Sequence, residues 1–286
     1  MTRIAVRKTY KLFIGGAFPR TESGRYFSHN DASGALVAQL CRASRKDLRN
    51  AVKAARKAQP AWAGRTAFNR AQILYRAAEM MESRRALFVE RAARDLGVED
   101  AEAHVSAAID TWVAYAGWAD KLSMVFGGVN PVAAPFFNVT TITPLGVVTA
   151  LPAAEDGLRG LVEALAATIV SGNATVMVVD GPACALAIEL AEVLATSDVP
   201  GGIVNILTGQ REELLPHVGS HRDIDGVYAR ALTTEQHQAL DVAAADSVKR
   251  VRVEPAGLPS DGDDLHSPYR ILPFVEYQTA WHPMGR

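Results

Sequence analysis

Five short apolar runs recur through the second half of the chain: LGVVTAL (145–151), ATVMVV (174–179), GIVNIL (202–207), DIDGVY (223–228) and VKRVRV (248–253). Helical segments separate them. A strand, a crossover helix and a parallel strand in alternation build a doubly wound sheet with helices on both faces, so the fold expected is α/β. Ahead of the first run, FFNVTTIT (136–143) is rich in β-branched and aromatic residues and reads as a further strand.

From Lys46 to about Ser123 the periodicity is helical and predicts three helices. The first shows Leu48, Val52, Ala55 and Trp62 on one face. The second runs from Thr66, an N-cap type, through Ile73, Leu74, Ala77, Met81, Leu87 and Phe88 to Gly97, a C′ type. The third carries Val105, Ala108, Ile109, Trp112 and Ala116. At the other end, the acidic stretch LPSDGDD (258–264) reads as a solvated connection to FVEYQTAW (274–281). That last segment alternates: Val275, Tyr277, Thr279 and Trp281 fall on one side, Phe274, Glu276, Gln278 and Ala280 on the other. A strand there must pair with its own chain or a neighbour, because an open edge leaves N–H and C=O groups unmet.

Thirty basic residues stand against 31 acidic ones in 286, which leaves no field to attract nucleic acid or a membrane surface. Basic residues dominate the first twenty positions, but no apolar h-region follows and no apolar run approaches a bilayer span, so a cytoplasmic setting is expected. Cys41 and Cys184 are far apart, without the spacing of a disulfide framework or a zinc site. Cys184 follows Pro182 near a predicted helix start, where a dipole lowers a thiol pKa; a small buried hydrophobe is the preferred interpretation. His217 and His221 share an i, i+4 spacing, but Gly219 weakens the helix between them and no third ligand is evident. Asp223 and Asp225 are expected to face solvent beside a strand.

Several longer stretches occur in one order: KLFIGGAF (11–18), AVKAARKA (51–58) with WAGRTAFNRAQILYRAAEMME (62–82), YAGWADK (115–121), PLGVV (144–148), the Gly172-Asn173 turn and VPGGIVNILTG (199–209). Together they resemble the aldehyde dehydrogenase superfamily over residues 11 to 257. The resemblance implies a Rossmann-like cofactor domain over 1–257, with N-terminal helices and an oligomerisation segment at 131–143, then a linker and oligomerisation tail over 258–286. The C-terminal AWHPMGR and altered strand ends resemble more narrowly the degenerate half of the two-domain family-sixteen enzymes, in which the catalytic domain is largely absent.

The departures from the family pattern point away from catalysis. Pro152-Ala153-Ala154 stands where the family has Pro-Trp-Asn, so the amide that would stabilise an oxyanion is missing. Val178-Val179-Asp180-Gly181 stands where it has Lys-Pro-Ser/Ala-Glu, and valine cannot grip a ribose hydroxyl. Arg230-Ala231-Leu232 replaces the glycine turn that lets amides approach the pyrophosphate, although Arg230 could meet a phosphate as a charge. Glu155 and Asp156 would repel one. Glu254 matches the family general base, but no cysteine follows it to serve as nucleophile, so a solvated carboxylate is the preferred interpretation.

The function expected is that of a pseudoenzyme, a structural or regulatory subunit of a complete aldehyde dehydrogenase, with no cofactor required. The alternative is an NAD- or NADP-binding aldehyde oxidoreductase, or a contributor of Glu254 to a composite site. Partners would be a complete dehydrogenase, further copies of the chain, or both. Phe136, Phe137, Val139, Ile142, Val275, Tyr277 and Trp281 are the residues expected to cover the oligomer interface.

Overall fold

A computed structural model describes residues 6–258 and 262–285. The N-terminal part is a small three-stranded sheet, β1 (Thr9–Tyr10), β2 (Tyr26–Asn30) and β3 (Leu36–Cys41), in the order β1-β3-β2. Helices follow: α1 (Arg45–Ala63), α2 (Ala67–Glu82), α3 (Arg85–Leu96), α4 (Ala101–Trp118) and the short α5 (Leu122–Phe126). Ser44 and Asp47 close a capping box on α1, and Thr66 caps α2 by accepting from Asn69 N. Gly97 ends α3 with φ 68°, the left-handed backbone that favours glycine at C′.

The span expected to hold one helix between Thr66 and Gly97 holds two. Ser83 Oγ donates back to Met80 O at 2.8 Å, and Arg84 leaves helical geometry at φ −111°, ψ 16°. A hydroxyl that competes for a backbone carbonyl is a recognised way to end a helix. α3 then restarts and sends Phe88 into the core while α2 buries Met81.

After β4 (Gly128–Asn130) and β5 (Phe136–Pro144) comes the main sheet: β6 (Val147–Leu151), β7 (Ala174–Val179), β8 (Val204–Thr208), β9 (Gly226–Arg230) and β10 (Arg250–Glu254), all parallel, in the order β10-β9-β6-β7-β8. Each apolar run predicted from the sequence holds a strand; ATVMVV matches its strand and the other four strands begin two or three residues late. The helices α6 (Gly157–Ile169), α7 (Cys184–Leu194), α8 (Arg211–Ser220) and α9 (Thr234–Ala245) make the crossovers. Because β7 and β8 step away from β6 on one side and β9 and β10 on the other, right-handed crossovers place α6 and α7 on one face and α8 and α9 on the opposite one. α2, α3 and α4 pack on the first pair, and α1 joins α8 on the second. Every residue of β6, β7, β8 and β9 is buried, as is almost all of α6 and α7.

The short helix α10 (Gly262–Leu265) and two 3-10 turns lead to β11 (Val275–Pro283), which pairs antiparallel with β5 in the same chain and completes a third sheet, β11-β5-β4. Asn173 ties this sheet's entry to the main one, accepting from Gly146 N at 2.7 Å and donating to Phe274 O at 2.8 Å. Residues 259–261 of the expected linker lie outside the described residues. Among the described residues no helix is long and apolar enough to cross a membrane.

Candidate functional site

In an open parallel sheet a ligand site forms beyond the carboxyl ends of the strands, where the order of connection reverses. Here that point lies between β6 and β9, beyond Leu151 and Arg230. The chain's own side chains fill it. Arg230 is 2% exposed; its Nε donates to Asp156 Oδ2 at 2.7 Å, Nη1 to Glu254 and to the Tyr228 hydroxyl at 3.1 Å, and Nη2 to Gly257 O at 2.6 Å. Asp156 closes the 3-10 turn that leads into α6, so a carboxylate already sits at that helix's N-terminus. Arg211, the first residue of α8 and also buried, donates to Arg230 O at 2.7 Å, to Pro152 O and to Asp180 Oδ1 at 3.3 Å. One guanidinium thus joins the ends of three strands.

Glu254 is half of a second cluster, and the structure corrects the expectation of a solvated carboxylate. Its Oε2 accepts from Arg230, from Arg270 Nη2 at 2.9 Å and lies 3.1 Å from the Tyr228 hydroxyl; Oε1 accepts from Arg252 at 3.2 Å. Burial alone would raise its pKa, but Arg270 and Arg230 outweigh that and hold it below the usual carboxylate range. Behind it, Glu163 on α6 is fully enclosed, accepting from Arg270 Nε at 2.8 Å and facing Tyr228 OH at 3.0 Å. For Glu163 burial prevails over Arg270, and its pKa is raised. The sequence held a signal for this cluster: Glu163 is an acid in the middle of GLRGLVEALAATI, a helix otherwise almost wholly apolar along its length, and a buried acid requires a cationic partner. Its partner Arg270, in the segment between α10 and β11, had no such signal.

The "Aldehyde dehydrogenase family" sequence profile matches residues 18–258. The chain belongs to the aldehyde dehydrogenase family. It is 30% identical over 278 residues to DhaS of Bacillus subtilis (strain 168), a protein given an aldehyde dehydrogenase name, covering 95% of this chain and 54% of that one. A solved aldehyde dehydrogenase from Bacillus cereus, 26% identical, superposes with a TM-score of 0.81 over 87% of this chain and 51% of its own. An NAD-dependent aldehyde dehydrogenase from Sinorhizobium meliloti, at 23% identity, gives a TM-score of 0.82 over 88% and 51%, a likeness of fold. The chain spans about half the length of these relatives.

Against that family background, the crevice suits a pyrophosphate poorly. Arg230, the residue expected to be able to meet a phosphate, has its guanidinium engaged on every nitrogen and is not free to do so. Ala231, expected to stand where the family has a glycine, holds φ 55°, a left-handed backbone that here carries a Cβ. Beside the β7 and β8 ends a groove of ≈ 460 Å³ remains, lined in part by Asp180, Gly181, Gly209 and Glu212. Two carboxylates make it unfavourable to phosphate; Asp180 has its pKa raised by burial, which Arg211 opposes.

Neither thiol is placed as a nucleophile. Cys184 is buried, its Sγ 3.3 Å from Val179 O, and burial pushes its thiol pKa up, away from a reactive thiolate. Cys41 is likewise buried. Asp225, expected in solvent, instead accepts from Arg56 Nη2 at 2.5 Å and Val147 N at 2.7 Å, close against Gly146, where a Cβ would meet it at 2.1 Å. Among the described residues no group of three His, Cys, Asp or Glu is placed to hold a metal ion.

The residues expected at an interface separate into three sets on the β11-β5-β4 sheet. Phe137, Tyr277 and Trp281 are exposed at 43%, 52% and 59%. Phe136, Val139 and Ile142 are half-buried, with Phe136 edge-to-face on Trp281 at 5.9 Å. Val275 is different: at 2% exposure it belongs to the chain's own core and has nothing to offer a partner.

Proposed function

We propose that this chain is a non-catalytic aldehyde dehydrogenase-like subunit, whose crevice has been converted from a dinucleotide site into a structural ion network, and which associates through its third sheet. The observation that carries the proposal is the Asp156–Arg230–Glu254–Arg270–Glu163 cluster, in which the family's general-base position serves as an ion-pair anchor. A base needs a free lone pair and a pKa near the working pH, and Glu254 has neither. Residues 255–274 pass from β10 to β11 without a catalytic domain between them, consistent with a cofactor-type unit over 1–257 and a tail over 258–286, and with a relationship to the degenerate family-sixteen half. The buried thiols suit a reducing, cytoplasmic setting.

The association surface is open on both edges, β4 and β11; the exposed rings of Tyr277 and Trp281 lie on the edge strand β11, which a second subunit could extend, and that of Phe137 lies on the central β5. The partner would be a complete aldehyde dehydrogenase or a second copy of this chain. Co-expression with a complete dehydrogenase, followed by native mass spectrometry, tests this. A complex or self-oligomer that is lost in Tyr277→Glu/Trp281→Glu supports the proposal; a wild-type chain that stays monomeric at high concentration and ignores the dehydrogenase refutes it.

A further inference from the structure

On the face of the molecule where α1 packs on α8, away from the crevice, lies a groove of ≈ 660 Å³. Three segments line it: Arg45, Lys46, Leu48 and Arg49 from the start of α1, His217 and Ser220 from the end of α8, and His221 with Arg222 from the turn after it. The lining contains four permanent cations, two imidazoles and no carboxylate, in a chain whose formal net charge is −1. We propose that this groove binds a small, multiply charged phosphate anion.

The contrast with the other exposed helices supports this. Several arginines on other helices are matched within a turn: Arg76 with Glu79 at 2.9 Å, Arg85 with Glu82 at 2.6 Å, Arg94 with Glu90 at 3.4 Å. In the groove, Arg45 and Arg49 stand at i, i+4 as like charges, an arrangement that costs an isolated helix about 0.2–0.5 kcal/mol. Among the described residues no carboxylate pairs with Arg45, Arg49 or Arg222. The nearby acids are committed or turned aside: Glu22 holds Lys46 at 2.7 Å and Asp225 holds Arg56. Asp223 is exposed, and its backbone N donates to His221 Nδ1 at 3.2 Å. That bond leaves Nε2 as the protonated nitrogen of the neutral ring, a donor as an anion requires. The guanidinium forks suit bidentate contact with phosphate oxygens. Cations from the start of α1 and from the turn after α8, set with His217 of α8 around one concavity, favour a compact anion over an extended polymer.

Calorimetric titration of the whole chain with inorganic pyrophosphate, at low and at moderate salt, tests the site. One-to-one saturable binding that weakens with salt is expected, with affinity reduced at least roughly tenfold in Arg49→Gln/Arg222→Gln. That double variant should melt at the same or a slightly higher temperature, since it relieves repulsion. Arg49 and Arg222 line the groove and not the crevice, so the variant also separates the two places. No saturable heat with pyrophosphate, unchanged affinity in the double variant, or binding of RNA or anionic vesicles without any binding of pyrophosphate would each overturn the proposal.

Discussion

Replacing Arg230 by methionine should be among the most damaging single changes in the sheet. Among the described residues Arg230 is the sole side-chain partner of the Asp156 carboxylate, whose side chain is 1% exposed, with Nε and Oδ2 2.7 Å apart. Removing one member of a buried ion pair strands the other, a cost of about 3–5 kcal/mol. Glu254 is cushioned, because Arg270 and Arg252 still hold it, while Gly257 O loses its donor. The expected loss is therefore about 3–5 kcal/mol, a large part of the ~5–15 kcal/mol that holds a typical domain folded. Arg230→Met/Asp156→Leu removes both charges and should recover most of it. Equilibrium unfolding in urea, with the slope compared across variants, provides the measurement. A loss under about 1 kcal/mol in the single variant, or a double variant as unstable as the single one, would refute the buried-pair argument.

Three further outcomes follow from local features. Ala231→Gly should stabilise the chain by about 1 kcal/mol in the same unfolding assay, because Ala231 holds φ 55° where glycine carries no Cβ strain; a loss of stability would show the methyl is needed for packing. His104 Nε2 accepts from Leu158 N at the start of α6 at 3.1 Å, and burial, with Arg159 adding to it, lowers its pKa from 6.5 to about 4. The unfolded chain then takes the proton first, so stability present above pH 6.5 is lost as pH falls towards about 4, and His104→Gln should flatten this part of the profile; an unchanged profile would exclude His104 as its source. Deleting residues 277–286 should abolish assembly and leave the circular-dichroism spectrum of the main sheet intact, whereas a deletion from 274 should also unfold the chain, since Phe274 and Val275 are buried and Phe274 O accepts from Leu145 N and Asn173. Equal behaviour of the two truncations would contradict that division.

The sheet was legible because its strands are short apolar runs whose order and spacing carry the topology; so were Thr66 and Gly97, whose roles are local, a side-chain cap at one and a left-handed backbone at the other. The tail strand declared itself by alternation, but the alternation could not reveal that Val275, the first residue on its side, is drawn into the core while Tyr277 and Trp281 stay outside. That depends on Asn173 and Arg250, which hold the carbonyls of Phe274 and Val275. The fate of Glu254 and Arg230 was illegible for a related reason: Asp156 and Arg230 are 74 residues apart and Glu163 and Arg270 are 107 apart, and no periodicity links such pairs. The resemblance to the family singled out Glu254 and Arg230, but not that Arg211, Arg230 and Arg270 would gather at the strand ends.

The central claim, that the crevice is closed to a dinucleotide by the chain's own ion network, is tested most directly by titrating NAD and NADP into the purified protein in a calorimeter, in parallel with Arg49→Gln/Arg222→Gln so that binding at the α1–α8 groove is accounted for. No saturable binding by the groove variant is predicted. A dissociation constant near a micromolar in both proteins, about −8 kcal/mol, would contradict the claim, because no such affinity is compatible with Arg230 and Arg211 holding the positions they occupy here.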